Sequence, residues 1–177
     1  MHSLSTATVA FFALALTPVM SSEKTTPLRV GDPAPSLEAM DHRGNSFSLQ
    51  DAYNKGLVLV YFYPKADTPG CTSQACSLRD SYEALREKGV EVIGVSMDTV
   101  SAQADFADKY HLPFTLIADT EGNLVDAFGV PRNRRGKEFF PARQAFLIRD
   151  GKIIWRDLSA STAEQAADVL GILNDLG

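Results

Sequence analysis

The sequence predicts one α/β domain with a mixed central sheet flanked by helices on both faces. Three observations predict it. LVLVYFY (57–63) and VEVIGVSM (90–97) are continuous apolar, β-branched runs, the pattern of strands buried on both faces. Helical patterns separate them from each other and from a third run within LPFTLIAD (112–119), which demands parallel pairing with right-handed crossovers. Late in the chain, Asp150-Gly151 stands between RQAFLIR and KIIWRD, a hairpin signal that adds an antiparallel pair.

The elements follow in order. Residues 1–22 read as a secretory signal. The apolar stretch from Val9 to Leu16 is too short for a bilayer span, which takes about 20 residues. No charged side chain precedes Glu23, and Ser21 and Ser22, with Val19 upstream, fit a cleavage site. The leading segment lacks the usual Lys or Arg. This reading leaves a domain at 25–177 in the periplasm or secreted, with an apolar leader on a cytoplasmic protein as the alternative. No cysteine follows the apolar run, so no membrane anchor is expected. TTPLRVGDPAPS (25–36) carries three prolines and enters extended. LEAM and SFSL flank DHRGN as an N-terminal β-hairpin, and LQDAYNKG makes a short helical turn.

After the first buried strand a helix is expected from Thr68 to Lys88, with Thr68 as cap, Pro69 in the first helical position and Gly89 past the end. SAQADFADKYH (101–111) is a helix with Phe106 and Tyr110 on one face. EGNLVDAFGV is a short helix stopping at Gly129. PRNRRGKEFF (131–140) reads as a polar, solvated loop with a basic cluster, Arg132, Arg134, Arg135 and Lys137. Its functional alternative is docking an acidic reductase or a charged hydroperoxide. TAEQAADVLGILNDL closes the chain as an amphipathic helix with Ala166, Val169, Leu170 and Leu173 on one stripe.

Composition narrows the function. The chain has 177 residues, 45% of them hydrophobic, and a net charge of −5. An acidic chain argues against nucleic acid as the main partner. Two cysteines, Cys71 and Cys76, are too few for a disulfide scaffold. They are also too few for a closed zinc site, and His42 and His111 are not at motif spacing. His111 and Trp155 read as structural. Tyr61, Phe62 and Tyr63 read as core, with one edge lining a pocket.

Free cysteines are often simply buried, and Cys76, facing inward on the helix, fits that reading as well as membership of a reactive pair. Cys71 is different. With Thr68 as cap it is the third helical residue, beside unpaired backbone N–H groups and the positive end of the dipole, a setting that favours the thiolate. That turn also lies at the carboxyl end of a buried strand, where open α/β sheets place their sites. Five residues along a helix rise about 7.5 Å and turn about 140°, beyond the roughly 7 Å Cα limit of a disulfide. A bond between the thiols therefore requires the first turns to unwind, which disfavours a static staple and allows a switch.

Pro64, Thr68 and Cys71 spell P-x-x-x-T-x-x-C, which resembles the active-site motif of the peroxiredoxins. PGCTSQACSLRD, with VIGVSMD, FTLIAD and AFGV, is similar to the peroxiredoxin Q (bacterioferritin comigratory protein) group across about residues 27–175. The resemblance implies a thioredoxin-like fold and thiol-dependent peroxide reduction without cofactor or metal. It implies that Cys71 is the peroxidatic cysteine and becomes a sulfenic acid. Cys76 is then the resolving cysteine, forming an intramolecular disulfide that thioredoxin or a similar dithiol protein reduces. It gives the Thr68 hydroxyl a hydrogen bond to the thiolate and the peroxide. Pro64 shields the thiol from water, and Arg143, at the start of RQAFLI, stabilises the charge developing on the peroxide. The group's members are often monomeric, so a monomer is expected. Competing readings are an exported thiol–disulfide oxidoreductase, against which the missing C-x-x-C counts, a redox-switched sensor, or a one-cysteine enzyme in which Cys76 is only core.

Overall fold

The computed structural model describes residues 26–176. The expected signal segment, 1–22, lies outside the described residues. The apolar runs form the middle of a five-stranded sheet. In chain order its strands are β3 (Leu57–Phe62), β4 (Val90–Ser96), β5 (Thr115–Ala118), β8 (Gln144–Arg149) and β9 (Lys152–Asp157), arranged β5-β4-β3-β8-β9. β3, β4 and β5 are parallel, while β3–β8 and β8–β9 are antiparallel. The mixed sheet is therefore as the sequence predicts. Asp150 and Gly151 both adopt positive φ (51° and 69°), the turn expected of Asp-Gly between twisted strands.

Alternation along β3 divides the core. Val58, Val60 and Phe62 point to one face, with Leu49 and Tyr53 of α1 (Leu49–Tyr53) and Leu124 and Val125 of α5 (Asn123–Ala127). Leu59, Tyr61 and Tyr63 point to the other. There they meet α2 (Pro69–Asp80), α3 (Tyr82–Glu87), α4 (Val100–Tyr110) and α6 (Gln165–Leu176), through residues such as Leu78, Leu85, Phe106 and Val169. The expected stripe on α6 holds: Ala166, Val169 and Leu173 are buried and Leu170 packs at the margin. Trp155 is partly buried against the same cluster. The N-terminal hairpin pairs β1 (Glu38–Met40) with β2 (Ser46–Ser48) and bridges to the β5 edge through Asp41 and Ile117. Among the described residues no helix is long and apolar enough to cross a membrane.

Two elements differ from expectation. The single helix over 68–88 is two, broken at Ser81 (φ −104°, ψ 9°), after which Tyr82 packs on Phe114 with ring centroids 5.8 Å apart. No proline or glycine marks that break. Residues 131–140 are not a loop. They hold most of a two-stranded hairpin, β6 (Arg132–Arg135) and β7 (Glu138–Pro141), closed over Gly136 at φ 62°. All of β6 is exposed, so no alternation of apolar and polar residues signals it.

Candidate active site

The site sits where β3 ends and α2 begins. Thr68 is the N-cap residue of α2, with Pro69, Gly70 and Cys71 filling the first turn as predicted. The capping itself is corrected. The Thr68 hydroxyl makes no cap bond; it donates to the Lys65 carbonyl at 2.9 Å. It thereby closes the turn that delivers the chain into α2. Pro64, half-buried, leaves β3 one residue after the buried Tyr63 and lines a cavity of about 280 Å³ with Lys65, Phe139 and Phe140.

Cys71 is 1% exposed. Arg143, next to the first residue of β8, reaches it: Nη2 donates to Sγ at 3.4 Å. The guanidinium places a permanent positive charge and a directed donor on the sulfur. Gly70 keeps that approach open, because a Cβ there would stand 3.3 Å from Arg143 Nη2. The other guanidinium nitrogen, Nη1, donates to Gln74 Oε1, and Gln74 Nε2 donates to Gln165 Oε1 at 2.8 Å. Both glutamines are fully buried, and Gln165 Nε2 finds no partner among the described residues. Cys76 is half-buried. Both cysteines are free thiols in an unbroken α2.

The entry loop is held from two sides. Ala66 N–H donates to Asp98 Oδ2 at 2.8 Å, and that oxygen also accepts from Ser96 Oγ at 2.7 Å. Ser96 Oγ in turn accepts from Gln103 Nε2 at 2.8 Å, and Gln103 Oε1 accepts from the Tyr63 hydroxyl. On the other side Asp67, in the left-handed region at φ 57°, accepts from Lys109 Nζ at 2.8 Å and from the Tyr110 hydroxyl at 2.7 Å. The Lys109 bond, followed by that of Tyr110, holds the Asp67 carboxyl below its usual range. Beneath the helix, burial pushes the Tyr61 phenol well above its ordinary value, with Tyr63 and Cys71 adding to the shift. Tyr61 Oη has no hydrogen-bond partner among the described residues.

Pro64, Thr68, Cys71 and Arg143 thus converge on one end of the sheet, with Cys76 further along the same helix. Sequence reasoning missed Gln74, Gln165, Asp98 and the Asp67 clamp. Among the described residues no group of three or more His, Cys, Asp or Glu side chains could hold a metal. His111, read as structural, ends α4 in the left-handed conformation (φ 52°).

A family model described as the AhpC/TSA family matches residues 30–156. Peroxiredoxin Bcp of Bacillus subtilis (strain 168) is 39% identical over 155 residues, covering 84% of this chain and 97% of its own. Peroxiredoxin Bcp of Escherichia coli (strain K12) is 44% identical over 131 residues, 72% of this chain and 83% of its own. The crystal structure of peroxidoxin BcpB from Mycobacterium tuberculosis superposes with a TM-score of 0.79 at 31% identity, covering 85% of this chain and 99% of that one. Sequence and fold agree: the chain belongs to the AhpC/TSA family, as a peroxiredoxin of the Bcp/Q group.

Proposed function

We propose that this peroxiredoxin reduces hydrogen peroxide and organic hydroperoxides through Cys71 and regenerates through an intramolecular Cys71–Cys76 disulfide. One observation carries the reading: Arg143 donates to the sulfur of the buried Cys71, in the first turn of α2.

The Cys71 thiolate attacks the terminal peroxide oxygen and the O–O bond breaks. The leaving alkoxide or hydroxide takes a proton and departs as alcohol or water, leaving Cys71 as a sulfenic acid. Arg143 is aimed at the sulfur and stabilises charge as it passes to the leaving oxygen. Thr68 and Pro64 shape the mouth of the turn. The Cys76 thiolate then attacks the Cys71 sulfur, and water leaves with a proton from solvent. Helix spacing of about 7.5 Å along the axis prevents that step until the first turns unwind. The Thr72 N–H to Thr68 carbonyl bond, 2.8 Å, is among those that must open. A dithiol protein of the thioredoxin kind restores both thiols by exchange.

Intact mass of the reduced protein before and after one equivalent of hydrogen peroxide tests the scheme. The expected result is loss of two hydrogens, absent in both Cys71→Ser and Cys76→Ser. Gain of one oxygen with Cys76 untouched would overturn the two-cysteine route. Residues 1–22 are proposed as a cleaved export signal, tested by the N-terminus of the protein recovered from its native host.

A further inference from the structure

We infer that the β6–β7 hairpin is the docking surface for the reducing partner, and that this partner is an acidic dithiol protein. The inference rests on the disulfide scheme above and adds where, and by what chemistry, electrons arrive.

Four cations fall within six residues on a chain whose net charge is −5. One is already neutralised: Arg132 donates to Asp126 Oδ1 at 2.7 Å and to the Gly122 carbonyl at 2.8 Å, which anchors the hairpin base. Arg134, Arg135 and Lys137 are exposed and have no carboxylate partner among the described residues. A two-stranded ribbon is marginally stable by itself, and the one carboxylate in its register, Glu138 opposite Arg135, is taken by Lys65 at 2.9 Å. Concentrating unpaired cations on such an element works against the fold and favours an external counter-charge.

Position ties the patch to the chemistry. β7 ends at Pro141, two residues before Arg143, the donor to Cys71 Sγ. Lys65, in the loop leading to α2, bonds Glu138 of the hairpin at 2.9 Å. The hairpin therefore stands beside the turn that must unwind to form the disulfide. Phe139 is 50% exposed there, with the Arg134 guanidinium 5.7 Å from its ring centroid. An exposed aromatic beside arginines is the composition of protein interfaces.

The alternative occupant, an anionic hydroperoxide, fits less well. The cavity beside Pro64 is charged by Lys65, Asp98 and Glu138, a net negative set, and Arg134, Arg135 and Lys137 do not line it. The free cations address solvent, as a surface for a macromolecule does.

The test compares the parent with an Arg134→Gln/Arg135→Gln/Lys137→Gln variant. Reduction is driven by an acidic thioredoxin with its reductase and NADPH, or by dithiothreitol. Steering by three charges predicts a roughly tenfold loss of kcat/KM for thioredoxin at low ionic strength. The gap should close as salt shortens the Debye length to about 3 Å near 1 M. Single-turnover oxidation by hydrogen peroxide and turnover with dithiothreitol should match the parent. Equal kcat/KM for thioredoxin with equal salt slopes overturns the docking surface, as does a parent that turns over with dithiothreitol but not with the acidic thioredoxin. Loss confined to an anionic hydroperoxide overturns it in favour of a substrate role. Failure of the parent with dithiothreitol points instead to the disulfide scheme.

Discussion

Gln165→Leu separates the support of Arg143 from the stability of the fold. In the parent, Gln165 Oε1 accepts from Gln74 while its Nε2 is buried without a partner among the described residues. Leucine removes that unpaired donor, a gain of about 1–3 kcal/mol, and strands Gln74 Nε2 at a similar cost. The two offset, so stability should move by no more than about 1 kcal/mol. The effect on Arg143 does not cancel. Gln74, no longer tethered to α6, ceases to fix the acceptor for Nη1. A hydrogen bond to a charged group contributes about 1.5–3 kcal/mol; losing roughly 1 kcal/mol of orientation slows the peroxide step about fivefold. The assay is stopped-flow fluorescence of Trp155, the one tryptophan, after mixing reduced protein with hydrogen peroxide, alongside a urea titration. A rate within experimental error of the parent at unchanged stability would refute the reasoning. So would a midpoint drop that accounts for the whole loss.

Three further outcomes are expected. Cys76→Ser should abolish sustained turnover with thioredoxin and leave Cys71 to over-oxidise to the sulfinic acid; equal sustained rates in mutant and parent would return Cys76 to the core. Asp67 holds φ 57°, so Asp67→Ala should be less stable than Asp67→Gly by about 1–2 kcal/mol of backbone strain; denaturant midpoints in the reverse order would refute a strained backbone at this position. His42 is held below its ordinary value of 6.5 by burial, then by Arg43, and its Nδ1 accepts from the Leu116 N–H at 3.2 Å. The unfolded chain then binds more protons as pH falls through 6.5, so stability falls in that direction and is retained above it. The urea midpoint of the parent should drop between about pH 7.5 and 5.5 by more than that of His42→Gln; parallel curves would remove His42 from the account.

The parts of this protein written in local pattern were legible. The buried strands announce themselves as unbroken apolar runs, and Asp150-Gly151 names its own turn. Cys71 could be placed in the first turn of a helix because Thr68, Pro69 and Gly70 precede it. What failed was structure without a local signature. YEALREK continues the helical pattern past Ser81, so the break is decided by packing on Phe114. In β6 every residue faces solvent, and only Gly136 hints at a turn. Buried amides are the hardest case. Gln74, Gln103 and Gln165 look like surface residues on their helices, and Gln165 meets Gln74 from 91 positions away. Thr68 sits at the cap position, yet its hydroxyl chose a carbonyl three residues back, a competition that side-chain identity alone does not resolve.

The antiparallel pairing of β3 with β8, Phe62 opposite Gln144, divides the site between two mechanical bodies. In the proposed cycle the sulfur rides on a helix whose first turns must come apart. The backbone of Arg143 stands at the start of a strand locked inside the sheet, beyond the reach of that melting, although its bond to Gln74, on the same helix as the sulfur, lapses with it. The Arg143 backbone thus acts as a fixed datum: when the disulfide is reduced, the helix winds back and brings Gln74 again to an arginine whose strand never left its place. The reset is then a helix–coil event, about 0.1–1 μs for a segment of this kind, and not a refolding of the domain. An enzyme working by the proposed cycle dismantles half of its catalytic centre each turnover without losing the strand on which to rebuild it.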